Sequence, residues 1–394
     1  ERLNEYSYPA VIAGLHYSMS NSVKGLELYL SGYSDNLEIL FRKVIGEIRR
    51  YKIDENRFRI LKDQMAENRR NMKLSQAFHQ VGYEMHHLLS TPLWHTDAYL
   101  AVIDSITVQD LAEFVPVLFS RLHIDFLAHG NFSAGGILEL TTFLEDSLQS
   151  SEPVELPLEK TIILPASGPY VYQFSVEDVN SAIQIYFQAG PESIKQSVTL
   201  DMLQQMIEKP FYHQLRTVEQ LGYIVWSGYR ESGKVDGFVF IIQSNVKEPV
   251  YLQSRIEKFI ADFGSQLDRF SEDEFSQYKE ALVAKRLEMP KNLQEETNRY
   301  WGEISSGRYD FTRRDSEIDE LKKLKLADIK NLFKKMFVTT GIVRKVTVQA
   351  VGKTHQKIQP QGQVISDPKI FKRQMGFYPN PEGKIRTKTI MTFP

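Results

Sequence analysis

The chain has 394 residues, 42% hydrophobic and 25% charged, with a net charge of −2, nine histidines and no cysteine. These are the proportions of a soluble globular protein, and the length suggests two or three folding units. Near-neutral charge gives no field for nucleic acid or anionic lipid, and the lack of cysteine excludes disulfides and thiolate metal sites. No apolar run approaches the ~18 residues of a membrane span, so neither nucleic acid nor membrane is expected as a partner. A cysteine-free chain fits a reducing compartment such as the cytoplasm. The opening ERLNEYSYPA carries neither a Met nor a basic-then-apolar leader, so the chain reads as a piece of something longer.

In chain order, residues 5–14 read as a helix. LHYSMS and GLELYL then read as two strands around a polar turn at Asn21 and Ser22, with Leu26, Leu28 and Leu30 on one face of the second. A helix from about Asp35 carries an apolar stripe of Leu37, Leu40, Phe41, Val44 and Ile48. Another opens at Asp54 and Glu55, with Phe58, Leu61 and Met65 expected on its buried side. A third helix spans 75–89, and a fourth opened by Thr107 and Asp110 runs into an expected strand, HIDFLAHG, at 123–130. After a helix ending near Gln149, the prolines at 153, 157, 165 and 169 read as a linker with one edge strand in it. The alternating strand SAIQIYFQAG follows, with Ile183, Ile185 and Phe187 on one face, and then a helix interrupted at Pro210. The strand from Gly222 returns through 231–233 into GFVFIIQS, a hairpin apolar on both faces and so expected at the centre of its sheet.

The two parts read as copies. DENRFRILKDQMAENRR parallels EDEFSQYKEALVAKR, so Phe58 falls on Phe275, an offset of 217, and helix starts at Asp110 and Asp328 differ by 218. Each copy runs strands, then helices, then a strand. The expected fold is therefore α+β, two tandem homologous domains, each a mostly antiparallel sheet packed with a layer of helices. The division expected is 1–150 for the first repeat, 151–169 for the linker, 170–353 for the second repeat and 354–394 for a solvated tail or surface strap.

Residues 210–228, PFYHQLRTVEQLGYIVWSG, carry the most chemistry, placing Arg216 seven positions before Tyr223 at a helix-to-strand corner. Two strong donors there can converge on a bound main-chain carbonyl as an oxyanion stabiliser does. On composition the plainer reading is stronger: Arg216 neutralises helix C-terminal carbonyls and Tyr223 is a half-buried strand aromatic. His79, Glu84, His86 and His87 form the one tempting metal cluster, but the i, i+4 pair that lets two imidazoles grip one ion is missing. His123 and His129 are too far apart along one strand to share an ion. No phosphate loop and no nucleophile elbow occurs.

The segment RTVEQLGYIVWSG resembles the C-terminal half of insulysin-like zinc metallopeptidases of the pitrilysin (inverzincin) family. LNEYSYPAVIAGL, LFSRLHIDFLAHGN, FIIQS at 240–244 and RYWGEI at 299–304 match in order over residues 1 to about 353. The resemblance implies that these are the third and fourth of four homologous domains. It also implies a non-catalytic half that encloses peptide substrates and pairs with a catalytic N-terminal half, in the same polypeptide or as a separate chain, with a homo-oligomer also compatible. The family's His-x-x-Glu-His zinc motif is absent from this chain, so no cofactor is expected here and zinc belongs to the catalytic half. Carried over residue by residue, Arg216 and Tyr223 correspond to the substrate-contacting, transition-state-stabilising pair. Tyr212 stands where the family has a Phe lining the substrate cleft. LEMPKN, with Lys285, Arg286 and Lys291, carries fewer charges than the family's polyanion-binding turn. The alternatives are a free-standing peptide-binding scaffold derived from such a half and, weaker, an independent metalloenzyme using His79, His86 and His87.

Overall fold

A computed structural model describes residues 4–150, 159–339 and 343–379. The first part holds α1 (Asn4–Ile12), the hairpin β1 (His16–Ser22) and β2 (Gly25–Ser31), α2 (Ser34–Arg49), α3 (Glu55–Asn71), α4 (Ala77–Leu89), β3 (Ser90–Thr91), α5 (Thr96–Ile103), α6 (Val108–Ser120) and α7 (Ala134–Leu148). The second holds β4 (Lys160–Thr161), β5 (Tyr170–Val176), β6 (Ser181–Pro191), α8 (Ile194–Tyr212), β7 (Ile224–Ser232), β8 (Val235–Ser244) and α9 (Pro249–Asp268). It continues with α10 (Glu272–Leu287), α11 (Leu293–Ser305), α12 (Arg313–Lys323), α13 (Leu326–Phe333), β9 (Lys345–Gly352), β10 (Gln363–Val364) and α14 (Pro368–Arg373). The mixed α+β class is as the sequence predicts.

Helix starts follow local chemistry. The Asp54 carboxylate accepts from Arg57 N at 2.8 Å to open α3, and reciprocal capping boxes open α6 (Thr107 and Asp110) and α10 (Ser271 and Glu274). Each satisfies backbone donors that a helix start would otherwise leave unpaired.

Six strands form one sheet in the order β10-β5-β9-β6-β8-β7, with β5 parallel to β9 and β10 and the other pairs antiparallel. Ile183, Ile185, Phe187, Phe238, Phe240 and Ile242 face α8 and α9, while Ala182, Tyr186, Val239, Val346 and Val348 face Val81, Met85 and Leu88 of α4. The second face of this sheet is thus covered by a helix from the first part, anchored where Ala77 N and Phe78 N donate to Asp178 Oδ2 and Gln243 Oε1, each at 2.9 Å. In exchange, α11 lies on the first part. Trp301 Nε1 donates to Glu27 at 2.6 Å, Thr297 meets His129 Nδ1 at 2.7 Å, Tyr29 bonds Gln294, and the Lys24 ammonium donates to the Ser305 carbonyl.

Several expectations need correction. The hairpin is not wholly central: β8 is interior, whereas β7 is the edge strand. Residues 122–129 form no strand ladder among the described residues. On α3 only Ala66 is buried, and Leu61 and Met65 are exposed. Pro210 does not interrupt its helix; α8 runs through it and continues into a π-helical turn, His213–Val218. β5, unread in the sequence, is the parallel neighbour of β9. Of the expected linker, 151–158 lies outside the described residues, while Ile162 and Leu164 are core residues with no exposure. The tail adds β10 to the sheet and lays α14 on α4, where Lys372 Nζ donates to the carbonyls of His87 and Ser90 at 2.5 and 2.7 Å. Residues 380–394 of the expected tail lie outside the described residues.

His87 sits under this strap. Its burial, reinforced by the Lys372 ammonium and then by His95, Lys369 and His86, holds its imidazole at about 4, below the ordinary 6.5. The unfolded chain therefore binds more protons between those values, and stability is lost as pH falls through them. Acidification from pH 7 to 5 should cost about 2 kcal/mol from this residue alone. Calorimetry should show a smaller drop in Tm over that range for His87→Gln than for the wild type.

Candidate functional site

The corner between α8 and β7 is built on buried anchors: Phe211, Leu215 and Leu221 are all in the core under the sheet. The π-helical turn closes with Glu219 N donating to Gln214 O at 2.9 Å, and Leu221 N donates to Leu215 O at 3.0 Å. Gln220 takes a left-handed backbone, φ +51°. Gly222 must be glycine, because a Cβ there would stand 1.8 Å from the Gln243 carbonyl oxygen on β8. A side-chain lock completes the corner. Both guanidinium arms of Arg255, on α9, donate to Glu219 at 2.7 Å, and Gln214 Nε2 donates to the same carboxylate at 2.9 Å. The Arg255 bonds hold the Glu219 carboxyl below the usual carboxylate range.

Glu219 is thereby spent on Arg255. Among the described residues Arg216 makes no hydrogen bond or ion pair, and its Nε is buried without a partner. Its guanidinium carbon stands 5.6 Å from the centroid of the Tyr223 ring. Tyr223 is 81% exposed. The structure therefore brings Arg216 and Tyr223 together as two uncommitted donors. Tyr212, at the end of α8, is exposed one turn before Arg216. A cation and a phenol side by side, fixed by a locked backbone and free of internal partners, can donate together to one oxygen.

The histidine cluster disperses. Glu84 bonds His95 Nε2 at 2.9 Å, His86 Nδ1 lies 3.8 Å from Glu159, His87 is buried beneath Lys372, and His79 is exposed against Phe78. His123 pairs with Asp125 at 3.3 Å, which raises its pKa, and His129 with Thr297. Among the described residues no three His, Asp or Glu side chains gather as a metal site. Arg286, near the LEMPKN turn, is engaged by Asp201 and by Glu317 at 2.8 Å. Sequence reasoning missed the Glu219 and Arg255 lock, since nothing local marks a partner 36 residues away.

Comparison with known proteins defines the class. The description "Middle or third domain of peptidase_M16" matches residues 1–102, and "PQQ synthase PqqF-like, C-terminal lobe domain 4" matches residues 202–301. The chain belongs to the M16 peptidase family. Within it, the chain corresponds to the C-terminal half of insulysin-like members. It is 35% identical over 390 residues to the insulin-degrading enzyme of Homo sapiens, covering 97% of this chain and 38% of that protein. It is 33% identical over 368 residues to the peroxisomal insulin-degrading enzyme-like 1 of Arabidopsis thaliana, covering 90% of this chain and 38% of the relative. The chain thus spans about two-fifths of the length of these relatives. The crystal structure of pitrilysin shares the fold, with a TM-score of 0.85 at 22% identity, over 95% of this chain and 40% of that one.

Gly222→Ala should force the β7 corner away from β8. The expected cost is about 2 to 4 kcal/mol, the scale of a severe backbone clash. Chemical denaturation would measure it; a loss below about 0.5 kcal/mol, the range of an ordinary surface change, would mean the corner gives way easily.

Proposed function

We propose that this chain is the non-catalytic half of an insulysin-like zinc metalloendopeptidase, closing over peptide substrates held by a catalytic half. The observation that carries the reading is the pair Arg216 and Tyr223, 5.6 Å apart and without hydrogen-bonding partners at a braced corner. Family membership supports it, as does the relatives' additional length.

In this reading the zinc ion belongs to the catalytic half, where it supplies Lewis-acid polarisation when bound. This chain's residues do the rest of the work at the carbonyl. Arg216 brings a permanent charge and a planar fork, and the Tyr223 hydroxyl donates to the same oxygen as negative charge develops on it. Both donors are positioned before substrate arrives, so little reorganisation is needed during the reaction. Tyr212 lines the cleft with an aromatic wall whose hydroxyl is polar where a Phe would be apolar.

The chain should be combined with a catalytic half and assayed for peptide cleavage. Tyr223→Phe removes only a hydroxyl, so kcat should fall on the order of 10²-fold, roughly 3 kcal/mol, with KM nearly unchanged. Arg216→Lys keeps the charge, loses the fork, and should also fall well short of wild type. Because Tyr223 is exposed, Tyr223→Phe should keep the wild-type Tm. A stable Tyr223→Phe enzyme with full kcat would sink the assignment and favour a peptide-binding scaffold without a catalytic role.

A further inference from the structure

Arg216 and Tyr223 stand on the stretch between α8 and β7, and their spacing depends on how that stretch is held. Arg216 lies inside a ring that Glu219 closes twice. The Glu219 amide donates to the Gln214 carbonyl at 2.9 Å, and the Glu219 carboxylate accepts from the Gln214 side chain, also at 2.9 Å. The bond from Leu221 N to Leu215 O at 3.0 Å closes a second, overlapping ring. Tyr223 then follows Gly222, where any side chain would strike the Gln243 carbonyl of β8.

Bonds within so short a segment fix its shape but not where that shape stands on the protein. Buried Leu215 and Leu221 anchor it on the core side, and Arg255 anchors it on the other. Arg255 Nε and one terminal nitrogen donate to the two Glu219 oxygens, each at 2.7 Å, a bidentate geometry that sets orientation as well as distance.

The helix that carries Arg255 is held independently of this bond. Leu252, Ile256 and Phe259 of α9 are buried in the cluster that contains Phe211, Leu215 and Leu221, and the Phe211 and Phe259 rings stand 5.1 Å apart, edge to face. The start of α9 is tied to the end of β8. Ser244 Oγ accepts from Val246 N and Lys247 N, and the Glu248 carboxylate caps the helix through Val250 N and Tyr251 N. The corner, the end of β8 and α9 therefore form a closed circuit, with the Glu219 to Arg255 pair as its last link.

This link has little to offer stability. Its side chains stay 22 and 15% exposed, so water screens their attraction. Water does not loosen the geometry in the same way, and two donors must stand within about 0.5 Å of the productive arrangement to serve one oxygen.

We propose that Glu219 and Arg255 are positioning residues for the reaction: their ion pair sets where Arg216 and Tyr223 stand, and so sets turnover, without touching substrate. The inference rests on the reading of Arg216 and Tyr223 as carbonyl donors.

Arg255→Met keeps much of the side chain's length and removes the bonds. In the 394-residue chain, amide exchange at Glu219 and Leu221 should quicken about tenfold in this variant, with β8 amides unchanged. In the enzyme assembled with a catalytic half, kcat per folded molecule should fall about tenfold or more with KM nearly unchanged. Arg255→Lys, which keeps the charge without the fork, should recover part of that loss. Because the pair acts through the two donors, Tyr223→Phe should cost far less in Arg255→Met than in the wild type, a non-additivity that a general loss of stability does not produce. Glu219→Gln keeps an acceptor for Gln214 and takes the place of Arg255→Met if that variant does not fold. Unchanged exchange at Glu219 and Leu221, full kcat in Arg255→Met beside a slowed Tyr223→Phe, or losses that simply multiply in the double variant would each overturn the proposal. Full kcat in Tyr223→Phe alone would instead sink the carbonyl-donor reading, and the proposal with it.

Discussion

β6 and β8 are buried on both faces along nearly their whole length, and strands of that kind are stable only when both faces are covered. Everything in the arrangement of the two parts follows from this. α8 and α9 cover one face from within the second part. The other face is covered by α4, which precedes the sheet by some hundred residues and is capped by Asp178 and Gln243. The parts are therefore interlocked by exchange of helices, α4 packing one way and α11 the other. The C-terminal strap adds to the same layer, through Phe371 in the apolar cluster and Lys372 on the carbonyls that end α4.

The candidate site inherits its rigidity from that sheet. β7 is held on one side by its full ladder to β8, and Gly222 lets its start approach the Gln243 carbonyl more closely than any other residue could. The π-helical turn widens the backbone before it, a feature common where a helix is adapted to function. Electrostatics then decides which cation is available. The bidentate bond from Arg255 commits Glu219. Arg216 keeps its charge without a partner, beside an exposed phenol that has none either. A residue with only a structural task would be expected to satisfy its donors within the fold.

Much of this was legible in the sequence where local chemistry decides. Asp54, Thr107 with Asp110, and Ser271 with Glu274 open helices through bonds made within four residues, and the stripe of α2 at Leu40, Phe41 and Val44 is buried as its period predicts. The misses share one cause, dependence on partners distant in the chain. Leu61 and Met65 form a proper stripe on α3, but burial needs a facing helix, and their counterparts on α10 find α8. Residues 122–129 have a strand pattern, yet a ladder needs a neighbour. Pro210 costs α8 one backbone bond, which the buried Ile207 and Phe211 on either side of it outweigh. In the site, Arg216 and Tyr223 stood out by motif resemblance, while Arg255 sits on another helix with no signal near it. The histidines and Glu84 of α4 disperse because neighbouring residues point to different partners: Glu84 to His95, His86 to Glu159.

The most direct measurement of the central claim is a structure of this chain closed on a catalytic half with an uncleaved peptide bound. The account predicts the Tyr223 hydroxyl and the Arg216 guanidinium within ~3 Å of the carbonyl oxygen of the bond to be cut, with the Glu219 to Arg255 pair intact behind them. A peptide seated in the closed chamber with both side chains turned away from that oxygen, or with Arg216 drawn into an ion pair of its own, would contradict it.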